Sequence, residues 1–344
     1  MSDDAIARLL AVSARIGADP ALVQGAGGNV SIKQDGVLWV KASGKWLAKA
    51  GQKPMLVPLD LGRVREQLKG ATEDQQPVAG AVVLQSPPID LRPSIEATLH
   101  AIMPHPVVFH VHCTRTLAWS VQQGAQDALQ QRLEGLDWAW IPYARPGLPL
   151  TREMEARITQ GPSVVVLGNH GLVVGADTPE AAEALLADVA RRLETPSRTT
   201  EQPKLDFLAS LAAKGGYRLP RHPEVHSLAL NPANRAHAAQ GSLYPDHVVF
   251  LGHAVTVLEA DETPAQASRR VGEQEWLEPA LVLVPDAGVL VRDDVSANGE
   301  EMALSLALVV GRIPPDSSLN VLSRPQELEL VNWDAEKYRR SLNA

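Results

Sequence analysis

Three histidines from two distant stretches of this chain have the spacing of a metal site. Phe109-His110-Val111-His112 continues the apolar run Val107-Val108-Phe109. Side chains two apart on a strand point to the same face, so His110 and His112 share one face. His170 lies in Pro162-Ser-Val-Val-Val-Leu-Gly-Asn-His-Gly-Leu-Val-Val-Gly175. That stretch reads as strand, tight turn and strand, with the imidazole at the bend. Two neutral imidazoles on one strand face and a third from a turn leave one coordination position open, the arrangement of a catalytic zinc centre. The competing reading is three histidines buried as core.

The elements that must position these groups follow from local pattern. Residues 3–16 place Ile6, Leu9, Leu10 and Ile16 at helical spacing, with Ser2 or Asp3 as cap. Gln24-Gly25-Ala26-Gly27-Gly28-Asn29 is a glycine-rich loop with neither Walker nor dinucleotide-fingerprint spacing. Ser31-Ile32-Lys33 and Val37-Leu38-Trp39-Val40-Lys41 flank Asp35-Gly36, a strong hairpin signal. A second small-residue turn follows at Ala42-Ser43-Gly44-Lys45. Two such turns joined by one hairpin could offer amides, a hydroxyl and an ammonium to a phosphate or carboxylate. Residues 70–93 read as loop around a short strand at Ala81–Leu84. Ser94 is expected to cap a helix with Glu96 in its first turn, where negative charge is favourable, and with His100 one turn on, within reach of Glu96. Pro104-His105-Pro106 ends that helix. Cys113 faces away from His112 and reads as a small core residue. Asp177-Thr178-Pro179-Glu180 opens an Ala/Leu-rich helix from Ala181 to Leu193.

Taken in order, the Gly-Asn loop, the Ser-Gly turn, the Ser-x-Glu helix start, His-x-His after an apolar strand and Asn-His-Gly some way on resemble the class II aldolase/adducin family across residues 5 to 195. The resemblance implies a three-layer α/β/α fold with a mainly antiparallel central sheet. It implies a Zn2+ ion, or another divalent transition metal, on His110, His112 and His170. It gives Glu96 the acid/base role, and Gly28, Asn29, Ser43, Gly44 and Ser94 the binding of a substrate phosphate. One position departs: Ile95 stands where fuculose-phosphate aldolases have a second serine, which removes one phosphate ligand. The implied activity is zinc-dependent aldol cleavage of a ketose, as a sugar or sugar phosphate, through an enediolate. Sugar-phosphate 4-epimerases and decarboxylases of 3-oxo-acid phosphates use related chemistry on the same fold, and an adducin-like module would be non-catalytic. The family also implies a homo-oligomer, tetramer or dimer.

Composition narrows the partners. The chain has 344 residues, 45% of them hydrophobic, and a net charge of −8, which argues against a nucleic-acid partner. No run reaches the ~18 apolar residues of a membrane span. Cys113 is the only cysteine, so no intrachain disulfide forms. With no signal-peptide pattern at the N-terminus, a cytoplasmic location is expected.

The length suits two domains, expected at 1–200, carrying the metal site, and 201–344, a smaller α/β extension. Residues 195–204 read as a linker, with His222, His226 and His237 as surface histidines. Pro279–Asp294 matches Pro162–Asp177 without a gap, aligning Pro with Pro, Gly288 with Gly171 and Asp294 with Asp177. Upstream, Pro245–His253 is similar to Pro104–His112. The extension is therefore expected to be a partial repeat of the first domain. On that alignment Leu251 and Ala287 replace two histidines, His253 alone keeps its counterpart, and the copy holds no metal. The tail 332–340 reads as a short charged helix, with Tyr338 a weak candidate for closing the site.

Overall fold

The computed structural model describes residues 2–72, 78–83, 91–253, 255–275 and 277–333. The chain divides into two compact units, one of residues 1–116 and 126–194, the other of 117–125 and 195–344. In chain order the strands and helices up to residue 194 are α1 (Ser2–Gly17), β1 (Asn29–Gln34), β2 (Val37–Lys41), β3 (Leu56–Asp60), α2 (Leu61–Gly70), α3 (Ala97–Ile102), β4 (Val107–Val111), α4 (Thr114–Ser120), α5 (Ala125–Arg132), β5 (Trp138–Ile141), α6 (Leu148–Arg157), β6 (Val164–Leu167), β7 (Gly171–Ala176) and α7 (Pro179–Arg192).

The seven strands of the first unit form one sheet in the order β3-β2-β1-β4-β7-β6-β5. Every pairing is antiparallel except β5 with β6. Helices α1 and α7 pack together against β1, β4 and β7, while α2, α3 and α6 pack against the sheet as a separate group. This is the expected three-layer α/β/α arrangement with a mainly antiparallel centre. The β1–β2 hairpin turns at Asp35 and Gly36, both at positive φ (50° and 77°), as a two-residue turn between twisted strands requires. Central β4 is buried along its whole length, as expected of a continuous apolar run with neighbours on both sides. Thr178 caps α7 by accepting a hydrogen bond from the Ala181 amide, with Pro179 in the first turn.

Two local expectations fail here. Ala79–Ala81 is a 3-10 turn rather than a strand, and Val82 makes only an isolated bridge to Leu59; Leu84 lies outside the described residues. Helix α3 begins at Ala97, so Glu96 is its N-cap and not a first-turn residue. Instead of capping a helix, the Ser94 hydroxyl accepts a hydrogen bond from the Glu96 amide at 3.2 Å, closing a small side-chain turn before the helix starts.

The second unit contains α8 (Leu205–Ala212), β8 (Tyr217–Arg218), α9 (Ser227–Leu230), α10 (Pro232–Ala238), α11 (Pro245–Leu251), β9 (Thr256–Val257), α12 (Pro264–Glu275), β10 (Leu281–Val284), β11 (Gly288–Arg292), α13 (Ala297–Val310) and α14 (Arg324–Asn332). Its sheet order is β8-β11-β10-β9. Leu117, Ala118 and Val121 bury their side chains in this unit's core with Leu281, Leu283, Leu306 and Val310.

The hairpin β10–β11 repeats β6–β7 residue for residue. Leu281 pairs with Val291 and Val284 with Gly288, as Val164 pairs with Val174 and Leu167 with Gly171. The left-handed turn recurs too, at Asp286 (φ 57°) and Asn169 (φ 51°). Each hairpin carries a parallel neighbour on one side, β9 or β5, and an antiparallel one on the other, β8 or β4. The likeness proposed for Pro245–His253 fails, because that segment is a helix and not a strand. Pro245 stands in its first turn beside Asp246, and Gly252 at positive φ (80°) closes it, which are helix start and stop signals. The partner of β11 is instead β8, with Val291 opposite Arg218 as Val174 is opposite Phe109. Counting along from there, Leu219 stands at the position of His110 and Arg221 at that of His112.

His226 and His237 are not surface residues: both are buried. His226 accepts the Val289 amide at 3.0 Å, and burial lowers its pKa. His222 is half-buried and lies 3.0 Å from a Glu301 oxygen. Of the tail, only Asn332 and Trp333 are described; Tyr338 lies outside the described residues.

Candidate metal centre

His110 stands near the end of β4, with Asn29 of β1 opposite it on one side and Val173 of β7 on the other. His112 follows just past the strand end. His170 enters from the β6–β7 turn, where Asn169 takes a left-handed φ of 51° and the His170 amide donates to the Leu167 carbonyl at 3.2 Å. Gly171 makes the approach possible, since a Cβ there would lie 2.5 Å from the Val111 carbonyl oxygen. All three imidazoles are buried, and one ring nitrogen from each lies within 4.8 Å of the others. Ring centroids are 4.9–5.3 Å apart. Three imidazolium charges at that spacing would repel in a buried site, whereas three neutral imidazoles make the donor set of a divalent transition metal. The residues present therefore fit such an ion.

The surroundings orient the ligands. The Nδ1 of His110 lies 3.1 Å from the Leu172 carbonyl, and a proton there turns the Nε2 lone pair toward the cluster. Glu96 puts its carboxylate between two rings, Oε2 at 3.5 Å from His110 Nε2 and Oε1 at 3.3 Å from His170 Nε2. The Asn29 side-chain amide donates to Glu96 Oε2 at 2.9 Å, which fixes the plane of the carboxylate. His100 is not a partner of Glu96; its Nδ1 shares a 2.8 Å hydrogen bond with Ser31 Oγ. Burial, with His110 adding to it, holds the His100 pKa well below its ordinary value, so that ring stays neutral.

Of the turn residues, Gly28 and Ser94 are tied to this cluster, Ser94 through the Glu96 amide. Gly28, at φ +65°, brings its Cα against the His110 carbonyl, 3.1 Å from where a Cβ would sit. Ser43 and Gly44 form a turn with Gly44 at φ 73°. The Ser43 amide donates to the Arg92 carbonyl at 2.9 Å, so the Ser43 hydroxyl, not its amide, is the group left for a ligand. Ser94 is tied back by its amide to the Lys41 carbonyl at 3.2 Å.

Sequence reasoning gave Lys41 no part in holding the turns. Its side chain is 1% exposed, with Nζ 3.1 Å from the Ala26 carbonyl and 3.5 Å from that of Ala42. It thus ties the glycine-rich loop to the Ser43 turn. The available signal was a charged residue closing an apolar strand directly before Ala42-Ser43-Gly44. Cys113 is buried and outside the cluster.

Comparisons with known proteins place this architecture. The Class II Aldolase and Adducin N-terminal domain profile matches residues 7–195. The uncharacterized oxidoreductase YuxG of Bacillus subtilis (strain 168) is 31% identical over 180 residues, 48% of this chain and 25% of that protein. The chain thus spans about a quarter of the length of that curated relative. Among solved structures, the N-terminal class II aldolase domain of a conserved Thermoplasma acidophilum protein is 26% identical at a TM-score of 0.47, over 55% of this chain and 91% of that one. The L-fuculose-1-phosphate aldolase of Thermus thermophilus is 16% identical at a TM-score of 0.37, over 62% and 100%. With the family profile covering more than half of its residues, this chain belongs to the class II aldolase and adducin family.

Proposed function

We propose that the first unit is a metal-dependent lyase that cleaves or forms a carbon–carbon bond in a hydroxylated ketose, as a sugar or sugar phosphate of carbohydrate metabolism. The observation that carries this reading is the Glu96 carboxylate set 3.3 and 3.5 Å from two of three clustered imidazoles. A structural histidine cluster has no need of an acid wedged into it.

His110, His112 and His170 would hold the ion, and three neutral imidazoles favour zinc over hard cations. When bound, the metal supplies Lewis-acid polarisation of substrate oxygens. The chain's own groups do the rest. Retro-aldol cleavage removes a hydroxyl proton, breaks the carbon–carbon bond and leaves an electron pair on carbon, which must then be protonated. Glu96, buried and held by Asn29, is the group placed to move those protons. Asn29 keeps one carboxylate oxygen engaged and so aims the other. Gly28, Ser43, Gly44 and Ser94 would receive the substrate's anionic end. The second unit, with Leu219, Arg221 and Ala287 at the corresponding positions, holds no metal in this reading. The whole chain acts as a homo-oligomer.

The test is metal analysis of the purified protein after reconstitution, followed by a screen of ketose phosphates and 3-oxo-acid phosphates for metal-dependent turnover. One divalent ion per chain is expected. In Glu96→Gln the metal should remain while turnover falls about 10²–10⁴-fold, the usual share of general acid–base catalysis. A protein that takes up no metal would be a non-catalytic module, and undiminished turnover in Glu96→Gln would remove the carboxylate from the mechanism.

A further inference from the structure

We infer that Lys33 is a positioning residue: by clamping the far end of α3 to β1, it sets where Glu96 stands against His110 and His170. Its effect on turnover rests on the function proposed above, whereas the clamp itself does not.

Asn29, Ser31 and Lys33 are two apart on β1, so they point to one face of the sheet. Glu96, His100 and Met103 stand four and then three apart along α3 and its caps, so they share one helix face. The two sets meet in order. Asn29 Nδ2 donates to Glu96 Oε2 at 2.9 Å. Ser31 Oγ and His100 Nδ1 share a hydrogen bond of 2.8 Å. Lys33 Nζ donates to the Met103 carbonyl at 2.5 Å and, just past the helix, to the His105 carbonyl at 2.8 Å. Strand and helix thus run side by side in the same direction, joined by three polar rungs.

The third rung needs a long side chain. Four residues of antiparallel strand span about 13.5 Å, and seven residues of helix about 10.5 Å. Lys33 takes up the remaining ~3 Å by reaching back to the helix end. Its ammonium meets the carboxyl terminus of α3, where the backbone dipole favours a cation. Lys33 is half-buried, so the two carbonyls stand in for water that the ammonium has lost.

The same strand fixes the imidazole side of the cluster. Asn29 is opposite His110, and the Lys33 amide donates to the Pro106 carbonyl at 2.8 Å. β1 is therefore the common ruler for β4 and α3. Helix α3 has six residues, too few to hold a fixed place through its own hydrogen bonds. A slide or tilt of α3 along β1 would change the 3.3 and 3.5 Å spacings between Glu96 and two imidazoles. Lys33 opposes that motion at the end away from Glu96. Arg65 also takes a carbonyl there, that of Ala101 at 3.1 Å, but it does so from α2 and holds α3 within its own layer.

The experiment reads the Asn29 side-chain amide by nuclear magnetic resonance in metal-free, full-length protein carrying isotopically labelled asparagine. Loss of the signal in Asn29→Ala identifies it, and its position in Glu96→Ala marks the amide without its carboxylate partner. Circular dichroism confirms that each variant is folded. Lys33→Met is expected to move the signal toward the Glu96→Ala position. Lys33→Gln should move it less and serves if Lys33→Met does not fold, and Lys33→Arg should restore it. Arg65→Met should leave it in place. An unmoved signal in folded Lys33→Met or Lys33→Gln overturns the assignment, and so does an equal shift in Arg65→Met, which would mark a general loosening of the helix end. In metal-reconstituted protein, Lys33→Met should lower kcat by up to about 100-fold, the effect of a ~1 Å misplacement. KM and metal content should stay near their wild-type values, with kcat recovered in Lys33→Arg. A change in KM with kcat intact would overturn the link to Glu96. A signal that moves as expected, in a protein whose wild type turns over no ketose or 3-oxo acid, keeps the clamp and refutes the lyase reading.

Discussion

Gly171→Ala tests whether the β6–β7 hairpin, and not the histidines' identity alone, sets the metal centre. A Cβ at this position would lie 2.5 Å from the Val111 carbonyl oxygen, 3.3 Å from His112 Cδ2 and 3.4 Å from His110 Cε1. Real Cβ atoms essentially never come within 3.0 Å of such a neighbour. The oxygen is sheet backbone in central β4, so the start of β7 must retreat by 0.5 Å or more, the difference between those two distances. Functional constellations tolerate about 0.5 Å. The displacement therefore uses the whole tolerance and carries His170 with it, since that residue directly precedes Gly171. Overpacking of this kind costs about 1–3 kcal/mol of stability. Disturbing the groups that orient metal ligands costs about 10–100-fold in affinity. The assay is competition for zinc against a chromogenic chelator, with circular dichroism confirming that the variant is folded. Gly288→Ala is the control: its Cβ would meet His226 Nδ1 at 2.7 Å and Leu208 Cδ1 at 2.8 Å, similar crowding in the other unit. It should lose stability and keep metal affinity. Unchanged affinity in Gly171→Ala, or an equal loss in Gly288→Ala, would refute the reasoning.

Two further outcomes are expected. His112→Ala should lose the metal, whereas His253→Ala should keep metal and turnover and lose about 1–3 kcal/mol of stability in the second unit, because His253 Nδ1 lies 3.0 Å from both oxygens of buried Glu327; metal loss in His253→Ala would contradict this. Burial, with Arg65 adding to it, pushes the Lys33 pKa from 10.5 down to about 7, so between those values the unfolded chain binds the extra proton and stability rises with pH. The melting-temperature difference of Lys33→Met minus wild type should therefore fall as pH climbs from about 7 toward 10.5, and a flat difference would show that Lys33 does not titrate in that window.

Much of the centre could be read from local pattern. His110 and His112 declare their common face by spacing, and His170 declares its turn by the Asn and Gly beside it. The partners of Glu96 could not be read this way. Asn29 is 67 residues away and meets Glu96 because β1 lies next to β4, a sheet order that no window of sequence contains. His100 looked like the neighbour of Glu96 because helical spacing was assumed to begin at Ser94. The helix starts later, and the ring is taken by Ser31. Val248-Val249-Phe250-Leu251 shows the limit of hydrophobicity alone, because a short apolar run suits a buried helix as well as a strand. The flanking Pro245 and Gly252 held the answer. The same blindness to tertiary burial made His226 and His237 look like surface residues.

The turn shared by the two hairpins has a thermodynamic consequence. Asp286 and Gly288 hold the backbone shape of Asn169 and Gly171 in a hairpin that carries Ala287 where the first has His170. The bend is thus written in the stereochemistry of its residues and needs no ion to form. On the function proposed above, capture of a metal by the three histidines would then be separate from folding, unlike small zinc domains in which the free energy of binding is the free energy of folding. On that reading the chain without its ion would be a folded, pre-organised apoprotein, and an ion could exchange without the chain passing through an unfolded state.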